Sequence, residues 1–217
     1  MNICSVPNCG KKHFANGYCN KHNLQIKYHG KIKERTIFDS NEIVVDVDIC
    51  RMKIYNNKGE EIAETIFDLK YKDQIESSKL KWGLSSKGYV ATTWIDTDGL
   101  RQHISLHQAI VQLSGQTVEN DQEIDHKDNN PLHNLENNIR ICNSSQNQQN
   151  IKMQKNNTSG YKGVTWYKPT QKWQAQIRAN GKKYHLGYFE DIKDAARAYN
   201  AAAIKYYGEF AQLNIIK

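Results

Sequence analysis

Three cysteines and a histidine near the start of the chain set the tightest limit on how it can fold. The segment CSVPNCGKKHFANGYCNKH places Cys4, Cys9, Cys19 and His22 in the order C-x4-C-x9-C-x2-H. Three thiolates and one imidazole suit a closed tetrahedral Zn2+ site, with each ligand pair in a short loop. About 25 residues with almost no aliphatic side chains cannot offset their chain entropy by burial, so metal binding is expected to supply the folding free energy of this module. His13 and His29 are read as surface residues.

Composition extends the same logic to the whole chain. Only 38% of the 217 residues are hydrophobic and the mean hydropathy is -0.79, which disfavours one large core and favours several small units. No apolar run approaches the roughly 18 residues of a membrane span. The start MNICSVPNCG lacks the charged-then-apolar pattern of a secretory signal. A soluble, cytoplasmic protein is expected, in which the five cysteines are thiols or metal ligands rather than disulfides. Charge is unevenly spread. Residues 1–35 hold 7 Lys and Arg against 1 Asp and Glu, residues 36–150 hold 11 against 18, and residues 151–217 hold 12 against 4. Basic ends point to a phosphate backbone as partner, while an acidic centre needs another device to approach a polyanion.

Between Ile37 and Ile104, runs such as EIVVDVDI, KIYN and GYVATTWI alternate with the turn signals NNKG, SSKG and DTDG. Antiparallel strands forming a scaffold are expected, with Trp82, Tyr89 and Trp94 as core aromatics. SLHQAIVQLSG then reads as a helix, with Ser105 as N-cap and Gly115 as stop, and with His107 in a packing role. The run EIDHKDNNPLHNLENNIRICNSSQNQQN reads as strand, polar loop, short strand and a helix capped by Ser144. Side chains alternate along a strand, so Asp125 and His126 point in different directions from one edge. One could hold a metal while the other acts on a substrate. Asn147 falls in the first turn of the helix, from which it can be aimed at Asp125. A carboxylate and an amide oxygen are hard ligands suited to Mg2+ or a similar ion, and His126 is then free to act as a base.

The string DHKDNNPLHNLENNIRICNSSQNQQN resembles the HNH endonucleases, whose ββα-metal site reads DHxDGNxxNNxxxNLRxVxxxxNxxN. The similarity runs from about Leu106 to Asn150. It implies that Asp125 and Asn147 hold a catalytic Mg2+ or Mn2+ and that His126 is the general base. It further implies that Asn138 pins the loop and orients the base, and that Arg140 stands near a phosphate. Asn147 replaces the histidine often found at the last position, Ile139 replaces Leu, and Asn129 replaces a Gly while still tolerating a left-handed backbone. The N-terminal segment likewise resembles the small zinc modules on many phage nucleases, where CxxH is followed by a basic stretch such as KYHG.

From Ser159, the runs KGVTWY, KWQAQIR and KKYHLGYF are separated by KPTQ and ANG, the pattern of a three-stranded antiparallel sheet. A helix follows, with Asp191 and Asp194 at its start, an apolar stripe through Ile192, Ala195, Ala196, Tyr199 and Ala203, and Gly208 at its end. The segment closely resembles the APETALA-type (ethylene-response-factor) DNA-binding domain, SGxxGVxWxxxxxxWxAxIxxxGKxxxLGxFxxxxxAAxAYxxAAxxxxGxxAxxN. That resemblance implies a sheet entering the DNA major groove, with Lys162, Thr165, Tyr167, Lys172, Gln174, Gln176, Lys183 and His185 as groove-facing positions. Several of these are Arg or Trp in plant members, so the plant recognition sequence does not transfer. Trp173, Ala175, Leu186 and Phe189 are read as core, and NIKMQKNNTSG as a flexible linker.

The expected architecture is α+β and multi-domain: a zinc module at 1–35, a β-rich scaffold at 36–104, an HNH motif at 105–152 and an APETALA-type domain at 153–217. The expected function is a site-specific DNA endonuclease of homing or phage type, a monomer or homodimer acting on double-stranded DNA in a bacterial host. Its products would carry 3′-hydroxyl and 5′-phosphate ends. The alternatives are a non-cleaving sequence-specific regulator and a structure-specific or RNA-directed nuclease. The first would not need Asp125, His126 and Asn147, and the second would not need a groove-reading sheet.

Overall fold

The computed structural model describes residues 3–7, 9–32, 39–151, 153 and 156–216. Helix α1 (Asn20–His29) closes the N-terminal segment, and Gly30 ends it in the left-handed region at φ 68°. The side chain of His29, expected at the surface, lies outside the described residues, whereas His13 is half-buried and accepts a bond from the Gly17 N–H.

The alternating runs form the expected antiparallel strands. β1 (Ile43–Asp46), β2 (Ile49–Tyr55) and β3 (Glu61–Asp68) form a meander. After α2 (Lys72–Ser77) come β4 (Gly83–Leu84), β5 (Val90–Ile95) and β6 (Arg101–Ser105), which make a second sheet. Helix α3 (Leu106–Leu113) starts at Ser105, whose backbone N–H and hydroxyl both donate to Gln108 Oε1, at 2.9 and 2.7 Å. β7 (Gln122–His126) pairs antiparallel with β9 (Ile139–Asn143), and α4 (Ser144–Asn150) follows at once. The cap of α4 is Asn143 rather than Ser144. The strand keeps Asn143 extended, so its side chain reaches the Gln146 N–H at 2.9 Å while Gln146 Oε1 accepts from the Asn143 N–H.

One core joins the meander to the β7–β9 hairpin. Cys50, Met52, Phe67, Trp82, Leu106, Ile110 and Ile139 pack together, and the short strand β8 (His133–Asn134) adds in parallel to β3. The expected boundary between residues 104 and 105 runs through this core.

The C-terminal segment folds as β10 (Val164–Tyr167), β11 (Lys172–Ala179) and β12 (Lys182–Phe189), covered on one face by α5 (Ile192–Tyr207). Asp191 caps the helix by accepting from the Lys193 N–H. Trp173, Ala175, Leu186 and Phe189 face α5 in the apolar layer. Gly163 is required there: at φ +76° a Cβ would stand 2.0 Å from the Tyr199 ring and 2.7 Å from the Gln176 carbonyl oxygen. No helix among the described residues is long and apolar enough to cross a membrane.

Candidate nuclease site and nucleic-acid interface

The pairing of β7 with β9 sets Asp125 opposite Arg140 and His126 opposite Ile139 at one end of the hairpin, and α4 packs across it. Asp125 and His126 are buried, at 7% and 4% exposure. Both line a cleft of about 420 Å3 with Tyr89, Glu123, Asn129 and Asn147. A wider groove of about 840 Å3 along α3 and the β5–β6 hairpin reaches the same Glu123 and Ile124.

The tautomer of His126 follows from its partners. The Thr65 hydroxyl donates to the Leu132 carbonyl at 2.7 Å, so its oxygen is free to accept from Asn134 Nδ2 at 2.8 Å. Asn134 Nδ2 also reaches the Pro131 carbonyl, which turns Asn134 Oδ1 toward His126 Nε2 at 3.2 Å. Only an Nε2–H satisfies that acceptor, and Nδ1 keeps its lone pair. Thr65 and Asn134 are 0% and 1% exposed, so the chain of bonds is fixed by packing. Burial lowers the His126 pKa below the usual imidazole value, against the opposing pull of the Asn134 bond and the Asp128 and Asp125 charges. His107 lies edge-on to His126 with ring centroids 5.1 Å apart, and Tyr89 stands 5.2 Å from His107. Burial, then the neighbouring His126, pushes His107 down to about 4. Both rings are therefore neutral at pH 7.

Asp125 is held from two sides. Arg140 Nε and Nη2 donate to its Oδ2 at 2.9 and 2.8 Å, and Asn150 Nδ2 donates to Oδ1 at 3.0 Å and Oδ2 at 2.9 Å. Arg140, expected beside a phosphate, is thus engaged with Asp125, its side chain only 9% exposed. Asn147 bonds the Glu123 carboxylate and faces the same cleft as Asp125. Asn138 pins the loop, with Nδ2 donating to the His133 carbonyl at 2.8 Å and to Asp128 Oδ1 at 3.0 Å. The side chain bonded to His126, however, is that of Asn134. Asn129 adopts the left-handed backbone at φ 58°. Cys142, on the same hairpin, is buried with a pKa pushed up to about 11 by burial and by Asp125 and Glu123, so it remains a thiol.

At the N-terminus, the ligand atoms of Cys4, Cys9, Cys19 and His22 all lie within 4.8 Å of one another. Cys4 Sγ is 3.2 Å from His22 Nδ1, and Cys9 Sγ is 3.8 Å from Cys19 Sγ. Burial raises the Cys4 thiol, but the bonds from His22 and the surrounding backbone outweigh it and bring the pKa to about 6. A thiolate-forming cluster of this kind can hold a metal.

On the C-terminal sheet, register puts Thr165 beside Gln174, Tyr167 beside Lys172, Gln176 beside His185 and Arg178 beside Lys183. These pairs alternate with the residues packed on α5, so they share the face turned away from the helix. Gln174 and His185 are bonded at 3.1 Å, and Tyr188 stacks near both His185 and Tyr167. Lys162 does not join them. It precedes β10, and its Nζ donates to the carbonyls of Gln149 and Ile151 at the end of α4, where burial lowers its pKa to about 8.

The chain is 30% identical over 139 residues to an uncharacterized HNH endonuclease, L560, of Acanthamoeba polyphaga mimivirus, covering 64% of this chain and 69% of that protein. The chain belongs to the HNH endonuclease family. It is also 34% identical over 89 residues to Protein 3.8 of Escherichia phage T7, covering 41% of this chain and 73% of that one. A third similarity, 46% over 57 residues, is to APETALA2-like protein 2 of Oryza sativa subsp. indica. There the match covers 26% of this chain but only 13% of the plant protein. No protein-family model matches the chain, and no solved structure matches it.

Within this HNH-family chain, sequence reasoning missed Thr65, Tyr89, Asn134 and Asn150 around His126 and Asp125, and Arg178 and Tyr188 on the sheet. Arg178 was open to the strand alternation that found its neighbours, whereas Tyr188 reaches the outer face only through the bulge opposite Ala175 and Gln176, out of step with Lys183 and His185. Thr65 on β3 and Tyr89, just before β5, are distant in sequence and carried no local signal.

Proposed function

We propose that the chain is a DNA endonuclease that hydrolyses phosphodiester bonds with His126 as general base, at sites selected by the outer face of its C-terminal sheet. The observation that carries this reading is the buried Asp125–His126 pair, with Asn147 and Glu123 opening on the same cleft. The donor set fits a hard divalent cation, because the cleft offers carboxylate and amide oxygens and the neighbouring Cys142 stays protonated. Asp125 and Asn147 would hold Mg2+ or Mn2+. When bound, such an ion would supply Lewis-acid stabilisation of the negative charge on the phosphoryl oxygens and on the leaving oxygen.

His126 takes a proton from water at Nδ1, while Asn134 fixes the ring through Nε2. Its lowered pKa keeps that nitrogen unprotonated at neutral pH. Arg140 and Asn150 keep the Asp125 carboxylate from turning. On the sheet, Lys172, Arg178 and Lys183 supply phosphate or guanine contacts, and Gln174, Gln176, Thr165 and His185 supply hydrogen bonds to base edges. The N-terminal cluster takes Zn2+ as a structural ion, since three thiols and an imidazole close the shell. A phage or mobile-element enzyme working on DNA in a bacterial cytoplasm suits this assembly.

The test is cleavage of a randomised supercoiled plasmid library with Mg2+, comparing the wild type with His126→Ala and sequencing the new ends. Cuts at a shared motif that vanish in the variant, with DNA binding kept, support the reading. Binding of a common sequence by both proteins without cutting would establish a non-cleaving regulator instead.

A further inference from the structure

The C-terminal segment touches the nuclease cleft at its metal-binding carboxylate. Helix α5 ends in a 3-10 turn, Gly208–Phe210, that packs on α4. Arg140 Nη1 donates to the Glu209 carbonyl at 2.7 Å, and its guanidinium lies over the Phe210 ring, 3.9 Å from the centroid. The other two guanidinium nitrogens hold Asp125. A second path runs beside the first: Gln212 Oε1 accepts from Asn129 Nδ2 at 2.9 Å, and the same Asn129 nitrogen reaches Asn150 Oδ1 at 3.1 Å. Asn150 in turn bonds both oxygens of Asp125.

We propose that Phe210, in the segment that otherwise reads DNA, is a positioning residue of the nuclease, clamping Arg140 onto Asp125 and thereby setting the affinity of the cleft for a divalent cation. This rests on the reading of Asp125 as a metal ligand. Among the described residues, Oδ2 of Asp125 accepts three hydrogen bonds and Oδ1 one. The clamp therefore turns Oδ1 into the oxygen with free lone pairs. A guanidinium on a flexible stem does not keep such an orientation unaided; stacking on an aromatic face and a fixed carbonyl acceptor make it rigid. Without the ring, Arg140 competes for Asp125 as a mobile cation, and the carboxylate is no longer preset for a metal.

The experiment uses the full-length, zinc-loaded protein and Mn2+ as the probe, read by electron paramagnetic resonance without DNA, with DNA affinity measured separately by gel shift. Phe210→Leu keeps an apolar side chain but removes the ring face, and Phe210→Tyr keeps the ring. Phe210→Leu is expected to weaken Mn2+ binding about five-fold, the scale of one partly buried cation–π contact. Phe210→Tyr should bind Mn2+ as the wild type does, and both should bind DNA unchanged. Asp125→Ala separates the two readings. If that variant binds Mn2+ normally, the ligand assignment fails and the clamp with it. If it loses Mn2+ while Phe210→Leu binds like the wild type, the clamp alone is overturned. Equal loss of Mn2+ and DNA binding in Phe210→Leu also overturns it, because that would mark a general loss of packing.

Discussion

Asn147 and Asn150 lie one helical turn apart on α4, yet the structure separates their roles, and substituting each by alanine tests the difference. Asn150 is 3% exposed and donates to both Asp125 oxygens and to the His126 carbonyl. In Asn150→Ala, Asp125 keeps Arg140 but loses its amide donor, and the His126 carbonyl falls back on the Asn129 N–H at 2.8 Å. A buried hydrogen bond to a charged acceptor contributes roughly 1.5–3 kcal/mol and a neutral one about 1 kcal/mol, so a loss of about 3 kcal/mol is expected. Asn147 is half-buried and, among the described residues, bonded to the exposed Glu123, so Asn147→Ala should cost less than about 0.5 kcal/mol. Hydrogen exchange of the β7 and β9 amides reads the difference locally. Exchange should rise on the order of 100-fold in Asn150→Ala and stay near wild type in Asn147→Ala. Cleavage should respond in the other sense, with Asn147→Ala losing activity at low Mg2+ while remaining folded. A change below about 1 kcal/mol in Asn150→Ala, or equal costs in the two variants, would refute the assignment of Asn150 to holding the carboxylate.

Replacing the neutral acceptor on the base, as in Asn134→Asp, places a negative charge beside His126 and stabilises its imidazolium. The acidic limb of the cleavage pH profile should move upward, whereas the wild type keeps activity below the usual imidazole pKa because burial lowers that of His126. His107 gives a stability counterpart. Its folded pKa of about 4 lies below the unfolded value of 6.5, so the unfolded chain binds more protons between those values. Stability should be full above pH 6.5 and fall by up to about 3 kcal/mol toward pH 4, with a shallower fall in His107→Gln, as measured by urea melts across that range. Chelation of the N-terminal metal should expose Cys4, Cys9 and Cys19 to a thiol reagent while the buried Cys50 and Cys142 react only in denaturant. Gly163→Ala should destabilise the C-terminal sheet by more than about 3 kcal/mol and abolish DNA binding, since both the Tyr199 ring and a backbone oxygen stand in the way of a Cβ.

The sequence displays those parts of the fold whose partners are local. Alternation in KWQAQIR gives strand and outer face together, because successive side chains must change sides, whereas a bulge opposite Ala175 and Gln176 breaks the alternation in KKYHLGYF. The C-x4-C-x9-C-x2-H spacing reveals a cluster because only short loops separate the ligands. The Asp125–His126 pair stands out for the same reason. What lies between the elements is hidden. Residues 129–150 carry eight asparagines, and spacing does not say which amide meets which acid. Asn147 and Asn150 share a helical face, so only the angle at which α4 crosses β7 decides that Asn150 reaches Asp125. Thr65 reaches the base because β8 adds to β3, a pairing across more than sixty residues. Lys162 shows how little a local signal says about direction: a basic residue at the start of the C-terminal sheet is drawn to the carbonyl end of α4.

These hidden contacts converge on charge balance at the cleft. Asp125 and Glu123 bring two negative charges, Arg140 returns one, and the two buried histidines stay neutral. The net charge of the group is then -1, enough to attract a divalent cation without making the cleft strongly anionic. With Arg140 free to leave, the group would stand at -2, and a phosphodiester approaching an acidic middle segment would meet greater repulsion. A divalent ion on the balanced site leaves a net positive charge facing the phosphate. The residue that sets this balance is tied to Glu209 and Phe210 of the C-terminal segment, so seating that segment beside the cleft and fixing the Asp125 carboxylate are one packing event.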